Sequence, residues 1–337
     1  MVEAVQDGRT DRKLSDPLVS IGMPVYNAER HLREAIEALL AQDHSNIELI
    51  ISDNASTDGT GEICRDYARR DSRVLYSRSE LNFGAVWNFN RVFELAQGSY
   101  FMWAAHDDVR AHNFVSACVA AMQLRPEAGL CCTEVAFMDE DGADVKPWTA
   151  LIHPTGPTPR SRVSAIARSR YWLDVYGLMR RDLLASTTLA QPVWGFDVSI
   201  LLQMCLRGPV LMVDERLFHY RVETTKTVQT VASTLGKPES RGAIEVNWSA
   251  LVLELLSDVR RSPLPALTRA GLTVQLLIQM CVFNGLVGSG VRSDVVRNMR
   301  SAWGGRRPTR VLLLGLMAAL TFPIHNRLIR SVVRRSG

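Results

Sequence analysis

The chain has 337 residues, of which 47% are hydrophobic and 22% charged, with a formal net charge of +4. This is the balance of a globular protein rather than a disordered one, and a chain this long builds a core without a disulfide or a structural metal. The six cysteines form no C-x-x-C pair and five have apolar neighbours, so they are expected to be reduced and mostly buried, as in a cytosolic protein.

Residues 1–16 are polar, mixed in charge and lack an apolar run, which predicts a disordered arm and not a signal peptide. From Pro17, short apolar runs alternate with helical periods. Strands are predicted over 18–25, 47–52, 74–77, 100–105 and 129–137. Helices are predicted over 29–41, from a Thr57 or Asp58 cap to about Arg69, over 86–96 and over 113–124. Residues 139–160 read as a loop or hairpin, 164–184 and 197–207 as helices, and 210–221 as a strand. Residues 226–242 form a mobile linker, and the chain is helical in character from Ala243 to its end. Strand and helix alternating in this way imply an α/β fold: a doubly wound, mainly parallel, Rossmann-like sheet over 17–225, followed by a helical region over 243–337.

Ligands of such sheets bind beyond the carboxyl ends of the strands. Three predicted strands end in polar punctuation: Tyr26-Asn27, Asp53-Asn54 and Asp107-Asp108. Dinucleotide, P-loop, zinc-protease and serine-hydrolase motifs are all absent, which lowers the case for those chemistries. Asp107 and Asp108 are adjacent carboxylates, whose mutual repulsion is relieved by a hard divalent cation such as Mg²⁺ or Mn²⁺. They could equally favour the start of the following helix.

The ordered set Pro24-Val25-Tyr26-Asn27-x-Glu29, Ser52-Asp53-Asn54-Ala55-Ser56-Thr57-Asp58-Gly59-Thr60, Asn82-Phe83-Gly84, Asn90, Ala96, Gly98 and Asp107-Asp108 resembles the family 2 glycosyltransferases of GT-A fold. The likeness runs from Pro17 to Glu223. It implies a nucleotide-sugar donor (UDP- or dTDP-linked), Mn²⁺ or Mg²⁺ as cofactor, and transfer to a glycan, glycolipid or metabolite, as in polysaccharide biosynthesis. By this resemblance Pro24, Tyr26, Asn27, Glu29 and Asp53 hold the nucleotide, with Asp53 accepting a base N–H. Asn82, Gly84, Asn90 and His106 belong to the same pocket. Asp107 faces the ribose or the metal, and Asp108 is the metal ligand that bridges to the diphosphate.

Many members carry an acid where this chain has Ala105, and a histidine where it has Glu223. Inverting members place an acidic base at the start of a helix past the acceptor-facing segment. Trp194-Gly195-Phe196-Asp197-Val198-Ser199 resembles that place, with Phe196 standing for a common glutamate and Asp197 as the general base. Ala105, Phe196 and Glu223 keep open a nucleotide-sugar-binding protein without activity. A sugar nucleotidyltransferase would need a Gly-rich basic loop after the first strand, which this chain lacks.

Residues 290–337 carry a net +9 and the rest of the chain −5. The apolar run 311–322 is framed by arginines and too short to span a bilayer, so it fits a helix in a membrane interface as well as a buried one. The expected location is cytoplasmic, with peripheral contact to an anionic membrane face and no nucleic-acid partner. Residues 271–287 are apolar too, but Gln275, Gln279 and Asn284 favour packing within the protein.

Overall fold

A computed structural model describes residues 16–147, 150–222 and 247–283, together with Val291 and Asp294. The chain opens as three parallel βαβ steps: β1 (Val19–Val25), α1 (Leu32–Leu40), β2 (Ile47–Asp53), α2 (Thr60–Arg70), β3 (Val74–Arg78), α3 (Ala85–Leu95) and β4 (Tyr100–Trp103). β1, β2 and β4 are apolar and buried almost throughout, as strands covered on both faces must be. β1 pairs with β2 over its whole length but with β4 only from Val19 to Gly22, so Pro24 falls where β1 has just one neighbour. A residue without an N–H is tolerated there.

Beyond β4 the sheet turns mixed. β5 (Val109–Arg110), α4 (Phe114–Leu124), β6 (Leu130–Met138) and β7 (Asp144–Val145) follow, then α5 (Pro159–Arg168), a 3₁₀ turn (Leu173–Tyr176) and β8 (Leu178–Arg180). The order continues with α6 (Arg181–Ala185), α7 (Phe196–Arg207) and β9 (Val210–Arg221). The spatial order is β3-β2-β1-β4-β8-β6-β9-β5, with β7 on β6. The parallel sheet expected from the sequence is thus the β3-β2-β1-β4 quartet. β8 is antiparallel to both β4 and β6, and β5 is antiparallel to β9.

The helix predicted over 164–184 is not formed as such. Thr158 and Ser161 make a reciprocal capping box with Pro159 in the first turn, which starts α5 five residues earlier than expected and ends it at Arg168. Leu178–Arg180 is drawn into the slot between β4 and β6, so tertiary pairing overrides its helical spacing.

The helix Trp248–Arg261 packs on α7, and its Leu251, Val252 and Leu255 are fully buried in the same core as Ile200, Leu202, Val92 and Phe101. The next helix, Ala266–Ile278, lies against α5, where Gln275 donates to the carbonyl of Arg160 (2.9 Å) and Gln279 to the hydroxyl of Ser164 (2.8 Å). Both amides therefore serve protein packing. The acid of the basic C-terminal stretch, Asp294, is buried and accepts the Trp248 N–H at 2.7 Å. All six cysteines are free and buried. Among the described residues no helix is long and apolar enough to cross a membrane. The expected arm (but for Asp16), the linker, Glu223 and the apolar run 311–322 lie outside the described residues.

Candidate active site

The chain winds outward from β1 through β2 to β3 and then returns to place β4 on the other side of β1. The β1/β4 boundary is therefore the switch point of the sheet, where strand ends diverge and leave a crevice. Tyr26 follows β1 there and is 39% exposed. Asp107 and Asp108 follow β4, on a loop held between Ala104, whose N–H donates to the Gly22 carbonyl (2.9 Å), and the β5–β9 pair.

Asp108 is only 5% exposed. Its Oδ1 accepts the Arg221 backbone N–H at 2.9 Å, while its buried Oδ2 has no hydrogen-bond partner. Burial, and next the charge of Asp107, push its pKa up to about 7 against the opposing pull of Arg110 and Arg221. Two buried arginines flank it. The Arg221 Nε donates to the Asp107 carbonyl (2.8 Å), Nη1 to the carbonyls of Asp139 and Glu140 (3.1 Å each), and Nη2 to Glu34 (2.7 Å). Arg110 lays its guanidinium 3.6 Å from the centre of the Phe218 ring, with its Nε and Nη2 unpartnered, and burial lowers its pKa to about 10. An orphaned, buried carboxylate oxygen beside a half-exposed second carboxylate fits a hard cation. Among the described residues no group of three or more His, Cys, Asp or Glu could hold a metal, so other ligands would have to come from phosphate and water.

Asp197 opens α7 one residue after Phe196 and two after Gly195, which takes a left-handed φ of 79° at the turn into the helix. The carboxylate is half-buried, and burial raises its pKa. The charges of Asp107, Asp108 and Asp197 all act on Tyr176 and Tyr220, whose phenols are pushed up chiefly by burial. The predicted base and the predicted metal ligands thus lie within electrostatic reach of the same two phenols, although Asp108 and Asp197 are 89 positions apart in the chain.

Asn27, Glu29 and Asp53, expected to hold the nucleotide, make hydrogen bonds within the protein itself. Asp53 is 0% exposed, and its carboxylate takes the Ser56 N–H (2.8 Å), the Tyr76 hydroxyl (2.8 Å) and the Arg78 guanidinium. Both oxygens face protein donors, so the group that reaches the surface at this point is Arg78, which the sequence reading missed. Arg78 stands level with Asp53 on the neighbouring strand, a basic residue at a strand end that register would have revealed.

Asn27, at a left-handed φ of 51°, takes the Thr57 N–H on its Oδ1 (2.8 Å), and Glu29 takes the Gly59 N–H (2.7 Å). Both side chains brace the loop before α2. Asn82 accepts from Asn54 (2.9 Å) and from the N–H of Gly84 (2.8 Å), which itself has a φ of 87°. Asn90 exchanges two 3.0 Å hydrogen bonds with the backbone of Ala190. The hydrogen bonds of these side chains go to the protein, and they shape the crevice. His106 is half-buried on the loop of the two acids. His31, also missed, is half-buried with an unpartnered Nε2. Its pKa is lowered by burial and then by Arg221 and Arg30, against the charge of Asp107.

Residues 20–186 match the model of the family described as Glycosyl transferase family 2. The chain is 34% identical over 106 residues to Glycosyltransferase GlyG of Streptococcus pneumoniae serotype 4, a match to 32% of this chain and 35% of that protein. The match thus spans about a third of that relative. S. aureus TarS 1-349, solved in complex with UDP-GlcNAc, superposes with a TM-score of 0.58 at 15% identity, over 77% of this chain and 72% of that one. The mannosyltransferase PcManGT of Pyrobaculum calidifontis, in complex with GDP-Man and Mn²⁺, gives 0.57 at 14%, over 90% and 86%. These likenesses fix the fold as GT-A.

Proposed function

The chain belongs to glycosyl transferase family 2 through residues 20–186, and we propose that it moves a sugar from a nucleotide-diphosphate donor to an acceptor hydroxyl with inversion. The observation that supports this reading is that the charges of Asp107, Asp108 and Asp197 all bear on Tyr176 and Tyr220, beside the unpartnered Oδ2 of Asp108. The donor's nucleotide would lie over Tyr26, with the Arg78 guanidinium, held by Asp53, at its base. Asp108, through its unpartnered Oδ2, and Asp107 are the residues that would hold Mn²⁺ or Mg²⁺. When bound, the ion stabilises the negative charge on the departing diphosphate. Asp197 takes the acceptor's hydroxyl proton as that oxygen bonds to the anomeric carbon and the carbon–phosphate-oxygen bond breaks. A carboxylate raised by burial is better matched to this work near neutral pH than an exposed one. The donor is a UDP- or dTDP-sugar, and the acceptor a glycan, glycolipid or metabolite. The bound UDP-GlcNAc of TarS and the GDP-Man with Mn²⁺ of PcManGT support a nucleotide-sugar with a cation.

A panel of nucleotide-sugars tests the reading, with nucleoside diphosphate release measured with and without Mn²⁺. Release from one donor class, dependent on the cation, is expected. In calorimetry the Asp108→Ala protein should bind UDP or dTDP no better with Mn²⁺ than without it. Equal affinity of wild type and variant under all conditions would remove the metal role.

The basic stretch 290–337 extends the proposal to an anionic membrane surface, with about 1 kcal/mol per surface-facing arginine, screened by salt. Sedimentation with anionic liposomes should fall when residues 295–337 are deleted and when salt is raised. Partitioning that ignores both changes would rule the contact out.

A further inference from the structure

Asp258, on the helix Trp248–Arg261, is a carboxylate 1% exposed and far along the chain from the acids of the strand ends. The fully buried hydroxyl of Ser199 donates to its Oδ2 at 2.7 Å, and Arg261 lies 3.3 Å from its Oδ1. From Ser199 a polar thread continues toward α3. The Gln203 Nε2 donates to Ser199 (3.3 Å) and to the Thr188 hydroxyl (2.9 Å), and its Oε1 accepts the Thr188 N–H (2.9 Å). Leu189 follows at a φ of 53°, and Ala190 is then locked to Asn90 of α3.

The same helix closes on the turn into α7. A side chain at Gly195 would come within 3.1 Å of Leu251, and Trp194 meets Trp248 with ring centres 4.2 Å apart. Ser199 and Asp197 stand two residues apart in the first turn of α7, so whatever fixes the rotation of that turn fixes where the Asp197 carboxylate points. A buried carboxylate with a hydroxyl partner is seldom the most stable filling for such a place, since apolar residues of similar size do as well. What a satisfied buried network adds is a single geometry.

We propose that Asp258, acting through Ser199, is a positioning residue for Asp197, so that the helix Trp248–Arg261 completes the transferase unit. This rests on the reading of Asp197 as the base. Steady-state kinetics of Asp258→Ala, Asp258→Asn, Ser199→Ala and Asp197→Asn, and of the double variant Asp258→Ala/Asp197→Asn, test both claims separately. Asp258→Ala is expected to lower kcat by about 10- to 100-fold with donor KM unchanged, the loss that about 1 Å of misplacement brings. It should also shift the acidic limb of the pH–rate profile, which a smaller folded fraction would only scale. Asp258→Asn keeps an acceptor for Ser199 and should recover most of the rate. In the Asp197→Asn background Asp258→Ala should change nothing further.

If Asp258→Ala does not fold, Ser199→Ala reads the same contact and should show the same drop in kcat. A wild-type kcat and limb in the Ala variants, beside a crippled Asp197→Asn, overturns the positioning role alone. A wild-type rate for Asp197→Asn overturns the assignment of the base.

Discussion

Replacing Asp197 by Asn is expected to lower turnover by about 10²–10⁴-fold while donor affinity stays within a few-fold of wild type. The amide keeps the size and the hydrogen bonding of the carboxylate at the start of α7 but cannot take a proton. Donor contacts are assigned elsewhere, to Tyr26, Arg78, Asp107 and Asp108, so calorimetry with the nucleoside diphosphate separates the two effects. The pH dependence has a definite sign. A base works only when ionised, so the wild-type rate should fall as pH drops through the pKa of Asp197. Burial raises that pKa, which places the acidic limb above the ordinary carboxylate range. The Asn variant should have no such limb. A near-wild-type rate would move the base elsewhere. Of the acids nearest in sequence, Asp182 accepts the N–H of Leu183 (2.8 Å) at the start of α6, and Asp214 is exposed midway along β9.

The second large effect is one of stability. Arg221→Ala is expected to cost about 3–5 kcal/mol, read from denaturant unfolding followed by fluorescence. Glu34 is half-exposed, so its charge is rehydrated when the guanidinium goes, and little of the cost lies there. The carbonyls of Asp107 and Glu140 lose the Arg221 donor, whereas that of Asp139 keeps the Gly142 N–H (3.2 Å), and each carbonyl left unpaired away from water costs about 1–3 kcal/mol. Arg221→Lys should recover only part, because one ammonium cannot reach four acceptors spread over the loop, the β6–β7 hairpin and α1. A loss under 1 kcal/mol for Arg221→Ala would show that these carbonyls find water instead.

Most of the β1–β4 architecture was legible because its elements follow one another in consecutive strand–helix steps. β1 to β4 and the helices between them lie within about two residues of their predicted limits at most ends, since apolar periodicity and strand-end punctuation report local structure directly. The sequence puts the cap of α2 at Thr57 or Asp58; Gly59 takes that position without a side-chain cap, and the Asp58 Oδ1 accepts the Thr60 N–H (3.1 Å) from one residue before it. What stayed hidden depends on partners distant in sequence. β5 and β7 are two-residue strands defined by the neighbour each meets, and β8 exists only because β4 and β6 stand either side of it. The buried arginines escaped for the same reason. A lone Arg110 or Arg221 carries no periodic signal, and the family pattern at that strand end bears only on Glu223. The amides of Asn27, Asn82 and Asn90 fit the family pattern, but the pattern does not say whether a polar group faces a ligand or the chain itself.

The late arrival of β8 has a consequence for how the molecule assembles. Within the quartet, β1–β2 and β2–β3 join strands consecutive in the chain and close short loops, while β1–β4 already reaches from Val19 to Tyr100. The other half waits on segments made later still. β6 is synthesised well before Leu178–Arg180, and until those three residues emerge β4 and β6 each present an open edge toward the other. Glycine is needed just before them, because a side chain at Gly177 would meet the Cys131 carbonyl at 2.6 Å. A three-residue strand thus acts as the keystone of a nine-stranded sheet. A nascent chain that stops short of it leaves the facing borders of β4 and β6 unpaired, with the far border of β6 still waiting for β9, and the order of synthesis, rather than the strength of any one contact, sets how long they stay exposed.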